Sequence, residues 1–97
     1  MAKNALVLTS EDNVATALEE ISAGDTVGIY TSAGEQLDQL TASGDIPRGH
    51  KIALCDIAKG ESILKYGYQI GLASLEIKRG DYVHVHNLES ARGRGDL

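Results

Sequence analysis

Asp56-Ile57-Ala58-Lys59-Gly60-Glu61 leads straight into Ser62-Ile63-Leu64, and the same order of residue types occurs twice more. Glu20-Ile21-Ser22-Ala23-Gly24-Asp25 precedes the run from Thr26 to Tyr30, and Glu76-Ile77-Lys78-Arg79-Gly80-Asp81 precedes the run from Tyr82 to Val85. In each copy an acid and an isoleucine are followed by a glycine, a second acid and a β-prone stretch. The isoleucine suits a helical or 3₁₀ turn anchored on a core, the glycine a positive φ that reverses the chain, and the closing acid the start of the next strand. The copies are unequally spaced, so they are a reused corner and not a solenoid repeat. These are good turn residues and carry no functional claim.

Outward from the corners the chain is short apolar runs broken by turn formers. Asn4 to Thr9, Gln36 to Leu40, Lys51 to Ile57, Gln69 to Ala73 and Asp81 to His86 are strand-like, and Ser32-Ala33-Gly34-Glu35 is a turn. One helix is predicted: Val14, Ala17, Leu18 and Ile21 recur at helical spacing, Ser10 to Asn13 offer caps, Glu19 and Glu20 fall on the other face, and Gly24 stands at the C-cap. The fold class expected is mainly β with one short helix.

The 97 residues fit a single domain, residues 1–97. A chain of this size hides roughly two-thirds of its unfolded surface and has little interior to hollow out, so a partner surface is the economical way to enclose a ligand. With no Phe and no Trp the core should be compact and aliphatic, and eleven glycines indicate many tight turns. A net charge of -5 argues against nucleic-acid binding. The apolar surroundings of the single cysteine, Cys55, predict a packed, unreactive thiol and exclude a disulfide framework. No run approaches the roughly 20 apolar residues of a membrane span, and the N-terminus lacks a long apolar signal segment. A cytoplasmic protein with no membrane partner is expected.

Unusual polar groups gather in two stretches. Ile46-Pro47-Arg48-Gly49-His50-Lys51 brings three cationic or potentially cationic side chains to one loop, which reads either as a seat for a carboxylate or as an exposed basic loop paired with acids. In Tyr82-Val83-His84-Val85-His86-Asn87, strand alternation would put Tyr82, His84 and His86 on one face and Val83 and Val85 on the other. Imidazoles two apart on a strand can lean onto one metal or flank one substrate, or simply lie on an exposed edge. Lys65-Tyr66-Gly67 is a third, weaker candidate, equally readable as a strand end with a snorkelling lysine. No phosphate-binding glycine loop, zinc spacing or nucleophile elbow is present.

Taken together, Asp12-Asn13-Val14-Ala15, Gly49-His50-Lys51-Ile52-Ala53-Leu54, Lys65-Tyr66-Gly67-Tyr68-Gln69-Ile70-Gly71-Leu72-Ala73 and Val83-His84-Val85-His86-Asn87 closely resemble the SAF domain of altronate/galactarate dehydratase-type hydro-lyases, from about residue 5 to 97. The last string resembles the altronate dehydratase and sulfolactate sulfo-lyase branches. The resemblance implies a β-clip fold and the separate small subunit of a sugar-acid dehydratase, inactive without its large subunit, with the small subunit of a (2R)-sulfolactate sulfo-lyase as alternative. A non-catalytic SAF binding module is the alternative from another class. The resemblance further implies His84, His86 and Tyr66 as catalytic residues and Arg48, His50, Lys51, Lys65 and Asn87 as substrate-binding ones. It implies a divalent metal, Fe²⁺ above others, at His84 and His86. The partners implied are the large subunit, an anionic sugar acid and, in an oligomer, further copies. In relatives a histidine often precedes the Asp-Asn-Val segment, where this chain has Thr9, Ser10 and Glu11.

Overall fold

The computed structural model describes residues 2–90, which form strands and turns and no helix. β1 (Lys3–Leu6), β2 (Val14–Ala17), β3 (Thr26–Tyr30), β4 (Gln36–Thr41), β5 (Lys51–Ala53) and β8 (Tyr82–Val83) make one sheet in the order β4-β3-β1-β2-β5-β8. β6 (Ser62–Lys65), β7 (Tyr68–Ala73) and β9 (Leu88–Glu89) make the other, in the order β6-β7-β9. The mainly β class is as expected from the sequence; the tail beyond residue 90 in the 1–97 domain lies outside the described residues.

The corners behave as their residues dictate, and there are four of them. Gly24, Gly49, Gly60 and Gly80 have φ of 88°, 86°, 91° and 93°, values that favour a residue without Cβ. The isoleucines pair as antiparallel bridges, Ile21 with Ile46 and Ile57 with Ile77, and all four are fully buried. In three corners the closing acid caps the turn: Asp25 accepts from Ser22 N–H, Glu61 from Ala58 N–H and Asp81 from Lys78 N–H. The opening acids Asp45 and Asp56 reach across each pair, to Ala23 N–H and Arg79 N–H, both at 2.9 Å. The fourth corner, Asp45-Ile46-Pro47-Arg48-Gly49-His50, has proline where the capped N–H should be and histidine where the capping acid should be.

The predicted helix is instead β2. Ala15 and Ala17 belong to a first core with Ala5, Val7, Ile21, Val27, Ile29, Leu40, Ala42, Ile46 and Ile52. Val14 belongs to a second core with Ala53, Ile57, Ile63, Ala73, Ile77 and Val83. A strand lying between β1 and β5 with a core on each face loses the period-2 signature, and its apolar run then coincides with helical spacing. Both cores are aliphatic, as expected.

Asp12 and Asn13, immediately before β2, clip the second sheet to the first. The Asp12 carboxylate, 9% exposed, accepts from Tyr66 N–H (2.9 Å), Gly67 N–H (2.8 Å) and the Thr9 hydroxyl (2.7 Å). The Asn13 amide donates to Ser62 O and accepts from Leu64 N–H. Tyr66 and Gly67, the two-residue turn between β6 and β7, both have positive φ, 58° and 79°, as a primed hairpin turn requires. Opposite, Arg79 forks onto Asp38 at 2.8 and 3.2 Å and donates to the carbonyls of Leu54 and Gln39. Cys55 is exposed, contrary to expectation, because the chain leaves β5 after Ala53 and turns before Ile57. Desolvation, followed by the charges of Asp56 and Glu61, raises its pKa and so disfavours the thiolate.

Candidate functional site

The fourth corner delivers His50 to the edge of the first sheet. Pro47 has no N–H to be capped, so the residue at the closing position is released from the task that Asp25, Glu61 and Asp81 perform elsewhere. Its ring turns to the neighbouring strand: Nδ1 of His50 lies 2.7 Å from the Tyr82 hydroxyl. β5 and β8 pair Ile52 with Tyr82 and Lys51 with Val83. One step further along, the His50 and His84 rings stand 4.7 Å apart. Tyr82 stacks on His84 at 5.5 Å and 9° and meets His86 at 5.4 Å. Three histidines and a tyrosine thus form one continuous aromatic face.

The reason for that face differs from the alternation expected. β8 ends at Val83, and residues 84–87 form a turn. The Asn87 amide closes it, accepting from His84 N–H (3.0 Å) and donating to Tyr82 O (2.9 Å). Val83 is buried as predicted, but Val85 is thrown outward, 78% exposed, so the two valines do not share a core face. Asn87, 5% exposed, spends its side chain on the turn and shapes the site from beneath.

Lys51 emerges on the other side of β5 from His50. Alternation places it with Val83, a member of the second core, whereas Tyr82 packs on the first. The string Gly49-His50-Lys51 is therefore not a single clamp. Lys51 is nevertheless close enough to sense Lys65 and to act on His84: desolvation, then the charge of Lys65, lowers the Lys51 pKa. Desolvation, then His50, Lys51 and His86, lowers that of His84. His84 is thereby biased toward the neutral ring, in a neighbourhood short of negative charge. Lys65 lies over the Tyr66 ring at 4.8 Å, and Tyr66 is 43% exposed. Arg48 is exposed on the corner. Tyr82 and Asp12, neither of them a candidate site residue by sequence, organise the histidines and the Lys65–Gly67 turn; the acid three residues after Thr9, a common local capping pattern, is the available signal for Asp12.

Among the described residues no group of three His, Cys, Asp or Glu side chains stands so as to hold a metal ion. His84 and His86 do not make a metal site by themselves. No described helix is long and apolar enough to cross a membrane.

Residues 3–91 match the family model described as the altronate/galactarate dehydratase SAF domain. The chain belongs to that family. This SAF domain is 41% identical over 88 residues to altronate dehydratase of Bacillus subtilis (strain 168), a match covering 91% of the chain and 16% of that enzyme. To altronate dehydratase of Escherichia coli (strain K12) it is 43% identical over 76 residues, 78% of the chain and 14% of the enzyme. The chain thus spans about one-sixth or less of the length of these relatives. It is also 33% identical over 75 residues to (2R)-sulfolactate sulfo-lyase subunit alpha of Chromohalobacter salexigens, covering 77% of the chain and 80% of that subunit. The SAF domain is homologous to parts of lyases.

Proposed function

We propose that this SAF domain is the small subunit of a cytoplasmic sugar-acid dehydratase and completes an active site shared with a large subunit. The observation that carries this is the modified corner: Pro47 and His50 replace a structural cap by an imidazole set against Tyr82 and His84, with Lys51 and Lys65 alongside. Anionic hydroxy acids fit such a surface, because cations and N–H donors hold a carboxylate while a neutral imidazole accepts or relays a proton. In the elimination a base takes the proton α to the carboxylate, the C–O bond at the β carbon breaks, and the departing hydroxyl leaves as water after protonation. His50 would bind and orient the acid, Lys51 from the other side of β5 and Lys65 beside it would add attraction for the anion, and His84 or His86 would carry a proton at an imidazole nitrogen. Tyr66 would flank the site from the hairpin, and Arg48 would meet the ligand or the partner from the corner.

A divalent metal, if the assembled enzyme uses one, would take most of its ligands from the large subunit; it would supply charge stabilisation for the enediolate. The sulfo-lyase reading remains beside the first, favoured by the match over 80% of a sulfo-lyase alpha subunit. There the leaving group is sulfite instead of water. The test is reconstitution with a large subunit of the altronate dehydratase or sulfo-lyase type and altronate or sulfolactate. A 2-keto-3-deoxy acid or sulfite forming only in the mixture supports the proposal; turnover by the isolated chain, or none with either substrate, refutes it.

A further inference from the structure

Tyr82 has no part in the proposed chemistry, yet it touches every histidine of the face. Its hydroxyl and Nδ1 of His50, 2.7 Å apart, can share one proton in two ways: the phenol O–H donates to a bare Nδ1, or an Nδ1–H donates to the phenol oxygen. A bare imidazole nitrogen is the better acceptor, since it binds a proton near pH ~6.5, where a phenol oxygen binds no second proton. A neutral ring whose Nδ1 accepts must carry its hydrogen on Nε2.

We infer that Tyr82 is a positioning residue whose hydroxyl holds His50 as the Nε2–H tautomer, so that the corner presents a fixed N–H donor to an anionic oxygen of the ligand, carboxylate or sulfonate. This rests on the reading of His50 as ligand-facing. Independent support comes from the fold: His50 occupies a closing position that Pro47 has relieved of capping, and the Tyr82 hydroxyl is the side-chain partner its Nδ1 has taken instead. Tyr82 itself is held by strand pairing with Ile52 and by the Asn87 amide on its carbonyl. Ring orientation and tautomer are therefore set by groups that do not touch the ligand, the relation that fixes functional imidazoles in general.

Nitrogen-15 NMR of the imidazoles, on the full chain at about pH 8, above the ordinary imidazole value of ~6.5, tests this without ligand or partner. Wild type should show His50 with a bare Nδ1, displaced by the hydrogen bond it accepts, and a protonated Nε2. In Tyr82→Phe the displacement should vanish and the Nδ1–H form should grow, while the amide signals of Ile52 and Val83 stay in place. A protonated Nδ1 in wild type, or His50 nitrogens unchanged in the folded variant, overturns the inference. The wild-type spectrum alone decides the tautomer if the variant does not fold. Loss of turnover in the reconstituted mixture is a separate result, which bears on the lyase reading and not on this one.

Discussion

Asp12 concentrates at one residue what joins the two sheets. Burial pushes its carboxyl upward, but the bonds from Gly67, Thr9 and Tyr66 outweigh that and hold its pKa below the ordinary 3.8. A carboxylate depressed in the folded state stabilises the fold above the unfolded value and loses that contribution as pH falls through the lower folded one. Asp12→Ala should therefore cost about 2–3 kcal/mol at neutral pH, since three charge-assisted bonds go and two turn N–H groups lose their acceptor. Denaturant unfolding from pH 7 down to about 2 checks it: the gap between wild type and variant should narrow progressively as pH falls below about 4. The valines of the histidine stretch offer a second comparison. Val83→Ala should cost about 2 kcal/mol through the cavity it leaves, and Val85→Ala should stay within about 0.5 kcal/mol. The sequence brought the right histidines together by an alternation that holds only to Val83. Beyond it the grouping comes from the Asn87 side chain closing a turn, which no residue pattern announced.

Three of the four corners were legible as such, and the fourth was hidden by the two substitutions that make it interesting. An acid-Ile-x-x-Gly-acid pattern passes over Asp45-Ile46-Pro47-Arg48-Gly49-His50, because proline and histidine stand at the capping pair. If those changes serve the site and not the fold, Pro47→Ser with His50→Asp should restore an ordinary capped corner. Thermal unfolding should then give a midpoint equal to or above that of wild type, while turnover of the reconstituted enzyme is lost. A double variant that unfolds would mean the corner needs proline and histidine for its own stability. β2 differs from the predicted helix for the converse reason. Its residues follow helical spacing by coincidence, and only the pairing with β1 and β5 and the burial of both faces reveal a strand.

The whole chain carries a net charge of -5 but brings His50, His84 and His86 to one face of the β5–β8 edge, with Lys51 on the other face of β5 near Lys65. A local excess of positive groups on an acidic protein concentrates anionic ligands at that edge. The lowered pKa of His84 fixes the direction of the pH dependence. An anion favours the protonated ring, so its binding takes up a proton, and affinity for a carboxylate should rise as pH falls from 7 to below the ordinary imidazole value of about 6.5. Calorimetry with gluconate in buffers of different ionisation enthalpy reads that uptake; equal heats in all buffers would exclude it. The mainly β class and the nearness of His84 and His86 to Tyr82 are legible in sequence, whereas the approach of His50 and the division of His50 and Lys51 between two faces of β5 depend on long-range pairing. The central claim, that this edge forms part of a lyase active site, is tested most directly by the turnover number of the reconstituted two-subunit enzyme with His84→Ala/His86→Ala in the small subunit. The expected result is a loss of about two orders of magnitude or more, as for removal of a positioned acid or base, with the variant still folded and bound to its partner. Turnover equal to wild type in a folded, assembled variant would contradict it.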